Sequence, residues 1–329
     1  MMSSPHIVRL GTRGSQLALY QANTVARSLA QAGGPSCEIV IIKTSGDRLQ
    51  EAPLSEVGGK RLFVKEIEDA LVRREIDLAV HSSKDMPAVL PDGLAIAAVL
   101  PRADPHDAVV LPASRQETIA TLGELVAALG QAPSIGTGSV RRVAQLRRLF
   151  TSARFMPIRG NLETRLRKLD SGEHDALVLA AAGLRRLGFA GRISYTLPAS
   201  ACVPAPGQGI VAVEIRDDAE AVRRVVGLID DAAAGAALRA ERALVEALGG
   251  GCQTPIGAMA TILDGETIEI VAVVVTVDGC RALRTTASGG LADAAAIGVR
   301  AARQLMAEGA GDILAEARQV HAAVEGIQP

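Results

Sequence analysis

The stretch PRADPHDA, residues 101–108, separates two series of alternating strand and helix patterns. Its two prolines and clustered charged residues favour neither a helix nor a strand. Alternation of strands and helices on both sides is typical of α/β domains. The stretch therefore predicts a crossing of the chain between two such domains.

The series before the crossing begins with a βα unit. IVRL at 7–10 predicts a strand, and GTRG leads into an apolar-periodic helix that begins after Ser15, a predicted N-cap, and runs to Ala32. CEIVIIK and DLAVHS predict two more strands, and LFVKEIEDALVRREI predicts a helix. The polar residues 44–61 predict a long loop, and loops of that length are usually functional or mobile.

The series after the crossing follows the same pattern. SIGTGS opens the helix VRRVAQLRRLF, RFMPIRG and DALVLAA predict strands, and NLETRLRKL predicts a helix. LPASACVPAPGQG at 197–209 interrupts regular structure, and IVAVEIR predicts a strand that returns to the first sheet. From about residue 218, grouped strands flanked by helices indicate a small α+β domain.

Composition limits the class of protein. Aromatic residues make up 2% of the chain and the formal net charge is -1, which argues against a nucleic-acid partner. Of the 35 basic residues only five are lysines, so arginines that suit bidentate contacts with carboxylates or phosphates dominate. Near-neutral charge without heptads predicts a monomer.

The cysteines and the hydrophobic runs predict a cytoplasmic location. Cys37, Cys202, Cys252 and Cys280 are widely spaced, which fits a reducing compartment and predicts no metal site. The N-terminal residues have no hydrophobic signal core. IVAVVVTV at 270–277 is too short to span a bilayer, so no membrane partner is expected.

GGGCQTPIG at 249–257 is an unusual setting for a cysteine. A buried structural cysteine normally sits among apolar residues, because a thiol packs as a small hydrophobe. Here glycines precede Cys252, and polar residues and Pro255 follow it. The pattern leaves two interpretations open: a sharp turn that contains a cysteine, or a nucleophile displayed for covalent chemistry.

GTGSVRR at 136–142 places two arginines in the first turn of a helix, where the macrodipole disfavours cations. An anion is expected beside Arg141 and Arg142, with the hydroxyls of Thr137 and Ser139 nearby. The alternative is a pair of solvated arginines. The glycine spacing matches no nucleotide-binding fingerprint.

Four further arginines lie near the carboxyl ends of predicted strands, where open α/β sheets bind ligands. They are Arg13, Arg159, Arg165 and Arg186. Together they predict a ligand that carries several negative charges.

AVHSSKDMP at 79–87 ends a buried strand in a polar cluster. A cation beside Asp85 keeps its carboxylate ionised and able to stabilise positive charge. The alternative is that Lys84 and Asp85 form only a loop ion pair. His81 has no partner visible in the sequence and is interpreted as a core histidine.

The order of these motifs resembles the porphobilinogen deaminase family. The resemblance rests on GTRGSQLALYQA, VGGKRLFVKEIE, AVHSSKDMP, GTGSVRRVAQL, RGNLETRLRKLD, LAAAGLRRLG, PAPGQG and GGGCQTPIG, and spans residues 7–260. It implies two α/β domains like type II periplasmic binding proteins around a cleft, plus a small α+β C-terminal domain. The implied limits are 1–103 with 209–228, 104–208, and 229–329.

The resemblance also implies an activity and a cofactor. Four porphobilinogen molecules are deaminated and joined head to tail on a dipyrromethane held by Cys252, and hydrolysis releases hydroxymethylbilane, a precursor of haem and other tetrapyrroles. Asp85 is the implied catalytic residue, beneath the pyrrole N–H groups. The implied residues around the cofactor are Lys84, Asp85, Thr137, Ser139, Arg141 and Arg142. The residues implied for the substrate are Arg13, Ser15, Gln21, Lys60, Arg159, Arg165 and Arg186.

The sequence departs from the family at Glu56, where a basic residue is expected, and at Arg61, where many members have a small residue. Lys60, to which the resemblance assigns substrate binding, lies between these two departures. Two other functions stay open: a non-catalytic module that binds a solute or senses an effector, and an acyl-transferring cysteine enzyme. The second needs a base near Cys252, and none is visible in the sequence.

Overall fold

The structure is a computed structural model that describes residues 7–45, 64–115, 117–251 and 254–326. Within them the strands are β1 (Ile7–Thr12), β2 (Ser36–Ile41), β3 (Leu78–Ser82), β4 (Leu94–Val99), β5 (Asp107–Val110), β6 (Ser134–Gly136), β7 (Arg154–Met156), β8 (Ala176–Ala180), β9 (Tyr195–Thr196), β10 (Val211–Arg216), β11 (Ile256–Ile262), β12 (Thr267–Val275) and β13 (Ala282–Gly290). The helices are α1 (Gln16–Gln31), α2 (Lys65–Val72), α3 (Leu122–Leu129), α4 (Val140–Leu146), α5 (Leu162–Asp170), α6 (Ala181–Arg186), α7 (Glu220–Val226), α8 (Ala232–Ala247), α9 (Ala294–Ala307) and α10 (Ala310–Gly326). In the described ranges no helix has the length and apolar character needed to span a membrane.

The first sheet combines the N-terminal strands with one strand from much later in the chain. Its order is β2-β1-β3-β10-β4; β1 is parallel to β2 and β3, and β10 is antiparallel to β3 and β4. Ser15 caps α1 as predicted, because its hydroxyl accepts a hydrogen bond from the Ala18 amide at 3.3 Å. The apolar face of α1 packs on the sheet, where Leu29, Leu10 and Val213 share one buried cluster.

The second sheet repeats this plan. Its order is β7-β6-β8-β5-β9; β6 is parallel to β7 and β8, and β5 is antiparallel to β8 and β9. In the first sheet β10, which follows the second crossing, lies between β3 and β4. In the second sheet β5, which follows the first crossing, lies between β8 and β9. The parallel strands end at one edge of each sheet, so the loops that follow them lie together.

Two irregular segments connect the sheets. Residues 100–106 lead from β4 to β5, and residues 197–210 lead from β9 back to β10. The crossing predicted at PRADPHDA and the predicted return of IVAVEIR to the first sheet are therefore confirmed. The predicted domain limits fall in these two segments and in the turn Gly227–Ile229; as limits of domains they stay a prediction.

The C-terminal unit is an antiparallel sheet, β11-β12-β13, with α8 and α9 packed on one face. Leu244 and Leu305 are fully buried between these helices and the sheet. On the other face, Ala144 of α4 shares an apolar cluster with Val273 and Val275 of β12. Helix α4 thus lies between the second and third sheets. The predicted fold class, two type II α/β units plus an α+β unit, is confirmed.

Glu241 on α8 joins three parts of the chain. Its fully buried carboxylate accepts hydrogen bonds from the Arg102 guanidinium (Nη1 to Oε1, 2.6 Å), the Gly207 amide (2.5 Å) and the Ala260 amide (2.7 Å). Arg102 and Gly207 lie on the two crossings, and Ala260 lies on β11. Hydrogen bonds to a charged group are stronger than neutral ones, so Glu241 fixes α8 against both crossings.

Candidate active site

Strand β3 delivers a polar turn to the edge of the first sheet. Ser83–Asp85 form a single 3-10 turn directly after the strand. Lys84 is half-buried, and burial lowers its pKa to about 8 in spite of the nearby negative charge of Asp85. Asp85 itself is exposed. The turn therefore presents a carboxylate to solvent beside an ammonium group that is only partly hydrated.

His81 precedes this turn and is buried, as predicted for a core histidine. Its Nε2 lies 3.0 Å from Oε2 of Glu214 on β10. Glu214 is the buried neighbour that the sequence did not reveal, because the two residues meet only through the return of β10 to the first sheet.

Asp107 holds the two arginines that open α4. All three side chains are buried. The carboxylate accepts hydrogen bonds from Arg141 Nη1 at 2.7 Å and from Arg142 Nε and Nη2 at 3.0 and 2.8 Å. Burial raises the pKa of Asp107, but the two guanidinium groups outweigh this effect and hold it far below its usual range. The interpretation of Arg141 and Arg142 as solvated surface residues is therefore wrong.

Thr137 and Ser139 lie in the loop between β6 and α4. Thr137 is buried, and its hydroxyl accepts a hydrogen bond from the Ser139 amide at 3.4 Å. Ser139 is half-buried and lines the pocket described below. Both hydroxyls are thus close in sequence and space to the start of α4, as expected.

Arg165 and Arg159 extend the positive region. Arg165 on α5 is half-buried and donates from Nε to the Gly160 carbonyl at 2.9 Å. Burial, followed by the charges of Arg142 and Arg159, lowers the pKa of Arg165 to about 10, and Asp85 opposes this shift. These interactions place four charged groups from both sheets in one electrostatic cluster.

Arg186 lies at the crossing that returns to the first sheet. Its Nη2 donates to the Gly209 carbonyl at 2.7 Å, and burial lowers its pKa, an effect that Tyr20 of α1 opposes. Gln21, one residue further along α1, is buried and donates from Nε2 to the Ser82 hydroxyl at 2.8 Å. Arg13 is half-buried just after β1. The predicted substrate residues of the first sheet thus surround the ends of β1 and β3.

Cys252 and Lys60 lie outside the described residues, as do Glu56 and Arg61. Gly251 and Thr254, the described residues on either side of positions 252 and 253, are hydrogen-bonded to each other. The Thr254 hydroxyl donates to the Gly251 carbonyl at 2.6 Å, and the Thr254 amide donates to the same oxygen at 3.0 Å. Gly249 adopts a φ of 61°, a conformation that glycine favours.

A pocket lies directly beside Gly251 and Thr254, which belong to the segment 249–257, here called the cysteine loop. The pocket is open to solvent and encloses about 600 Å³ of empty space, part of it bulk solvent. Its polar lining comes from the β3 turn, the start of α4, helix α8 and the cysteine loop, namely Ser83, Lys84, Ser139, Arg141, Arg242, Gly251 and Thr254. The three parts of the chain that carry predicted cofactor residues therefore meet at one pocket.

The charges around the pocket favour an anionic ligand. Among the described residues, the positive charges of Lys84, Arg141 and Arg142 are opposed by one fully buried carboxylate, that of Asp107, and by the exposed carboxylate of Asp85. A ligand with carboxylates would offset the excess positive charge. A dipyrromethane, in which each pyrrole bears an acetate and a propionate, has that chemistry. The residues present fit the cofactor that the sequence implied.

Two family models match the chain. "Porphobilinogen deaminase, dipyromethane cofactor binding domain" matches residues 8–224, and "Porphobilinogen deaminase, C-terminal domain" matches residues 236–307. A protein named porphobilinogen deaminase from Geobacter metallireducens is 43% identical over 98% of each chain. Another from Brevibacillus brevis is 44% identical over 94% of this chain and 96% of the relative. The chain belongs to the porphobilinogen deaminase family.

Membership of the porphobilinogen deaminase family confirms the predicted activity. The chain is a transferase of tetrapyrrole biosynthesis whose reaction yields hydroxymethylbilane, and its family cofactor is a dipyrromethane. A non-catalytic solute-binding role is not favoured.

Two solved structures of other proteins share less with this porphobilinogen deaminase family member. An ancestral cationic amino acid solute binding protein is 15% identical, with 68% of this chain and 88% of that chain covered and a TM-score of 0.42. The VFT2 domain of Bordetella pertussis BvgS is 16% identical, with 69% and 88% covered and a TM-score of 0.40. Similarity at this level carries no conclusion about ligands.

Sequence reasoning missed two buried carboxylates that organise this porphobilinogen deaminase site. Asp107 lies in the crossing segment 101–108, but the sequence does not show that it pairs with arginines 34 and 35 residues away. Glu241 stands within an alanine-rich helix. A charged residue in an otherwise apolar helix face was the one available signal, since such residues are rarely buried unless paired.

Proposed function

We propose that the pocket beside the cysteine loop holds the dipyrromethane and that Cys252 is its covalent anchor. One observation carries this proposal: buried Arg141 lines the pocket together with Lys84, Gly251 and Thr254, and it shares the buried carboxylate of Asp107 with Arg142. When bound, the dipyrromethane supplies the pyrrole carbon on which the product is built. Lys84, Thr137, Ser139, Arg141 and Arg142 hold its carboxylates.

Asp85 acts as the catalytic residue in this proposal. It is exposed just after β3, and its negative charge raises the pKa values of Lys84 and Arg165. From this position a carboxylate accepts hydrogen bonds from pyrrole N–H groups and stabilises positive charge that develops on the nitrogens.

The remaining cations receive porphobilinogen and the growing chain. Each added pyrrole brings two carboxylates, and guanidinium groups bind carboxylates in bidentate geometry. The charge of Arg159 acts on Arg165, and Arg186 lies at the crossing between the sheets. With them we assign Arg13, Ser15, Gln21 and Lys60 to substrate binding.

Intact mass spectrometry tests the anchor. The purified wild-type protein is expected to exceed its sequence mass by two pyrrole units, and Cys252→Ser to lose that increment. Cys37→Ser and Cys280→Ser are the matched controls and should keep it. Activity with porphobilinogen is read as uroporphyrin after oxidation of the product. Active enzyme with an unmodified mass would remove the anchor assignment.

The predicted monomeric state and cytoplasmic location belong to the same proposal. Near-neutral net charge and widely spaced cysteines support them. Light scattering of the purified holoenzyme measures the first, and cell fractionation measures the second.

A further inference from the structure

Ser83 carries a buried hydroxyl that the roles above do not use. The residue is 4% exposed, and its Oγ has no hydrogen-bond partner among the described residues. Buried polar groups normally have partners, because an unsatisfied one retains the full cost of leaving water. An unpaired hydroxyl in a binding pocket indicates a group that a ligand satisfies.

The backbone around Ser83 fixes the position of this hydroxyl. The Ser83 amide donates to the Ile210 carbonyl at 3.0 Å, and the Ser83 carbonyl accepts from the Met86 amide at 3.1 Å. Gly207, with a φ of 73°, faces the side chain, and a Cβ at Gly207 would lie 2.6 Å from Ser83 Oγ. The absence of a side chain at Gly207 leaves room for the hydroxyl at the pocket wall.

The surroundings determine what the hydroxyl binds. Ser83 lines the pocket together with the cations Lys84, Arg141 and Arg242. In a positive field the hydroxyl dipole turns its hydrogen towards an anion. A hydroxyl donates one hydrogen bond, and carboxylates accept such bonds strongly.

We infer that the Ser83 hydroxyl donates a hydrogen bond to a carboxylate of the dipyrromethane held in this pocket. The inference rests on the proposed function and adds a binding residue from the first sheet. It predicts that the hydroxyl stabilises only the loaded protein, because in the unloaded protein the hydroxyl is an unsatisfied buried group.

A four-protein cycle tests this inference: wild type, Ser83→Ala, Cys252→Ser and the double variant. Cys252→Ser prevents covalent loading, and intact mass confirms the state of each protein. Thermal unfolding is followed by circular dichroism. Ser83→Ala is expected to lower the Tm of the loaded protein by about 2 °C or more. In the Cys252→Ser background the Tm should stay unchanged or rise, because alanine removes an unsatisfied hydroxyl.

Ser82→Ala is the matched control. The Ser82 hydroxyl already has a partner, Gln21, at 2.8 Å, so its loss should lower the Tm in both backgrounds. Equal losses for Ser83→Ala in both backgrounds would make Ser83 a structural residue and overturn the inference, as would an unchanged Tm of the loaded protein. A wild-type mass without two added pyrrole units would instead refute the proposed anchor, and this inference with it.

Discussion

Replacing Asp107 with asparagine removes the only carboxylate that Arg141 and Arg142 share in the described structure. Asp107 is fully buried and also accepts a hydrogen bond from Gln208 Nε2 at 2.9 Å. An asparagine amide group offers one acceptor oxygen in place of two and leaves two buried guanidinium charges uncompensated. Breaking a buried ion pair by removing one partner costs about 3 to 5 kcal/mol. We expect Asp107→Asn to lower the free energy of unfolding by that amount.

The contribution of Asp107 to the free energy of unfolding is expected to depend on pH. The pKa of Asp107 is lowered by folding from 3.8, the value for the free side chain. A group with a lowered pKa stabilises the fold above its unfolded pKa, and that contribution is lost as the pH falls. The difference in the free energy of unfolding between wild type and Asp107→Asn should therefore be constant near neutral pH and shrink only below about pH 4.

Urea unfolding followed by circular dichroism measures both effects. The comparison is made in the Cys252→Ser background, because a bound cofactor would itself add stability. Asp170→Asn is the matched control, since Asp170 pairs with Arg192 at 2.7 Å at the partly exposed surface. That pair is expected to contribute at most about 1 kcal/mol. Equal losses for the two variants would refute the argument that burial makes the Asp107 cluster strong.

Three further experiments examine the charged groups around the pocket. Asp85→Asn should lower kcat by about 10² to 10³ with little change in urea unfolding, because Asp85 is exposed; near-wild-type turnover would leave Asp85 without a catalytic role. In the Cys252→Ser background, raising the pH from 7 towards 10 should increase the free energy of unfolding of the chain with Lys84 relative to that of Lys84→Met. The reason is that the pKa of Lys84 is about 8 in the fold and 10.5 in the free side chain, so the unfolded chain holds the proton longer. A change of the opposite sign would contradict the burial of this ammonium. Arg165→Leu should retain the two-pyrrole mass but add fewer units after brief exposure to porphobilinogen, with Arg165→Lys intermediate; a wild-type distribution of masses would exclude Arg165 from chain elongation.

The secondary structure could be predicted largely because its signals are local. The N-cap Ser15, the proline-bearing crossing and the apolar run that became β10 each depend on neighbouring residues. The family motifs added the cofactor, which no periodicity reveals. Local pattern thus recovered the order of the elements and both passages between the sheets.

The pairings inside the site could not be predicted in this way. Arg102 meets Glu241 across 139 residues, and His81 meets Glu214 only because β10 inserts beside β3. The unsatisfied state of the Ser83 hydroxyl depends on the packing around it. Such features arise from tertiary contacts, so the composition of the chain and the spacing of its residues do not reveal them.

The position of β10 has a consequence for the synthesis of the protein. Strands β3 and β4 both pair with β10, which begins at Val211, whereas β4 ends at Val99. At about 5 to 20 residues per second, a ribosome needs roughly 6 to 22 seconds to cover that interval. During this time the whole second sheet emerges while the edges of β3 and β4 lack their partner, and unpaired edges invite aggregation. The nascent chain therefore completes its second α/β unit before its first.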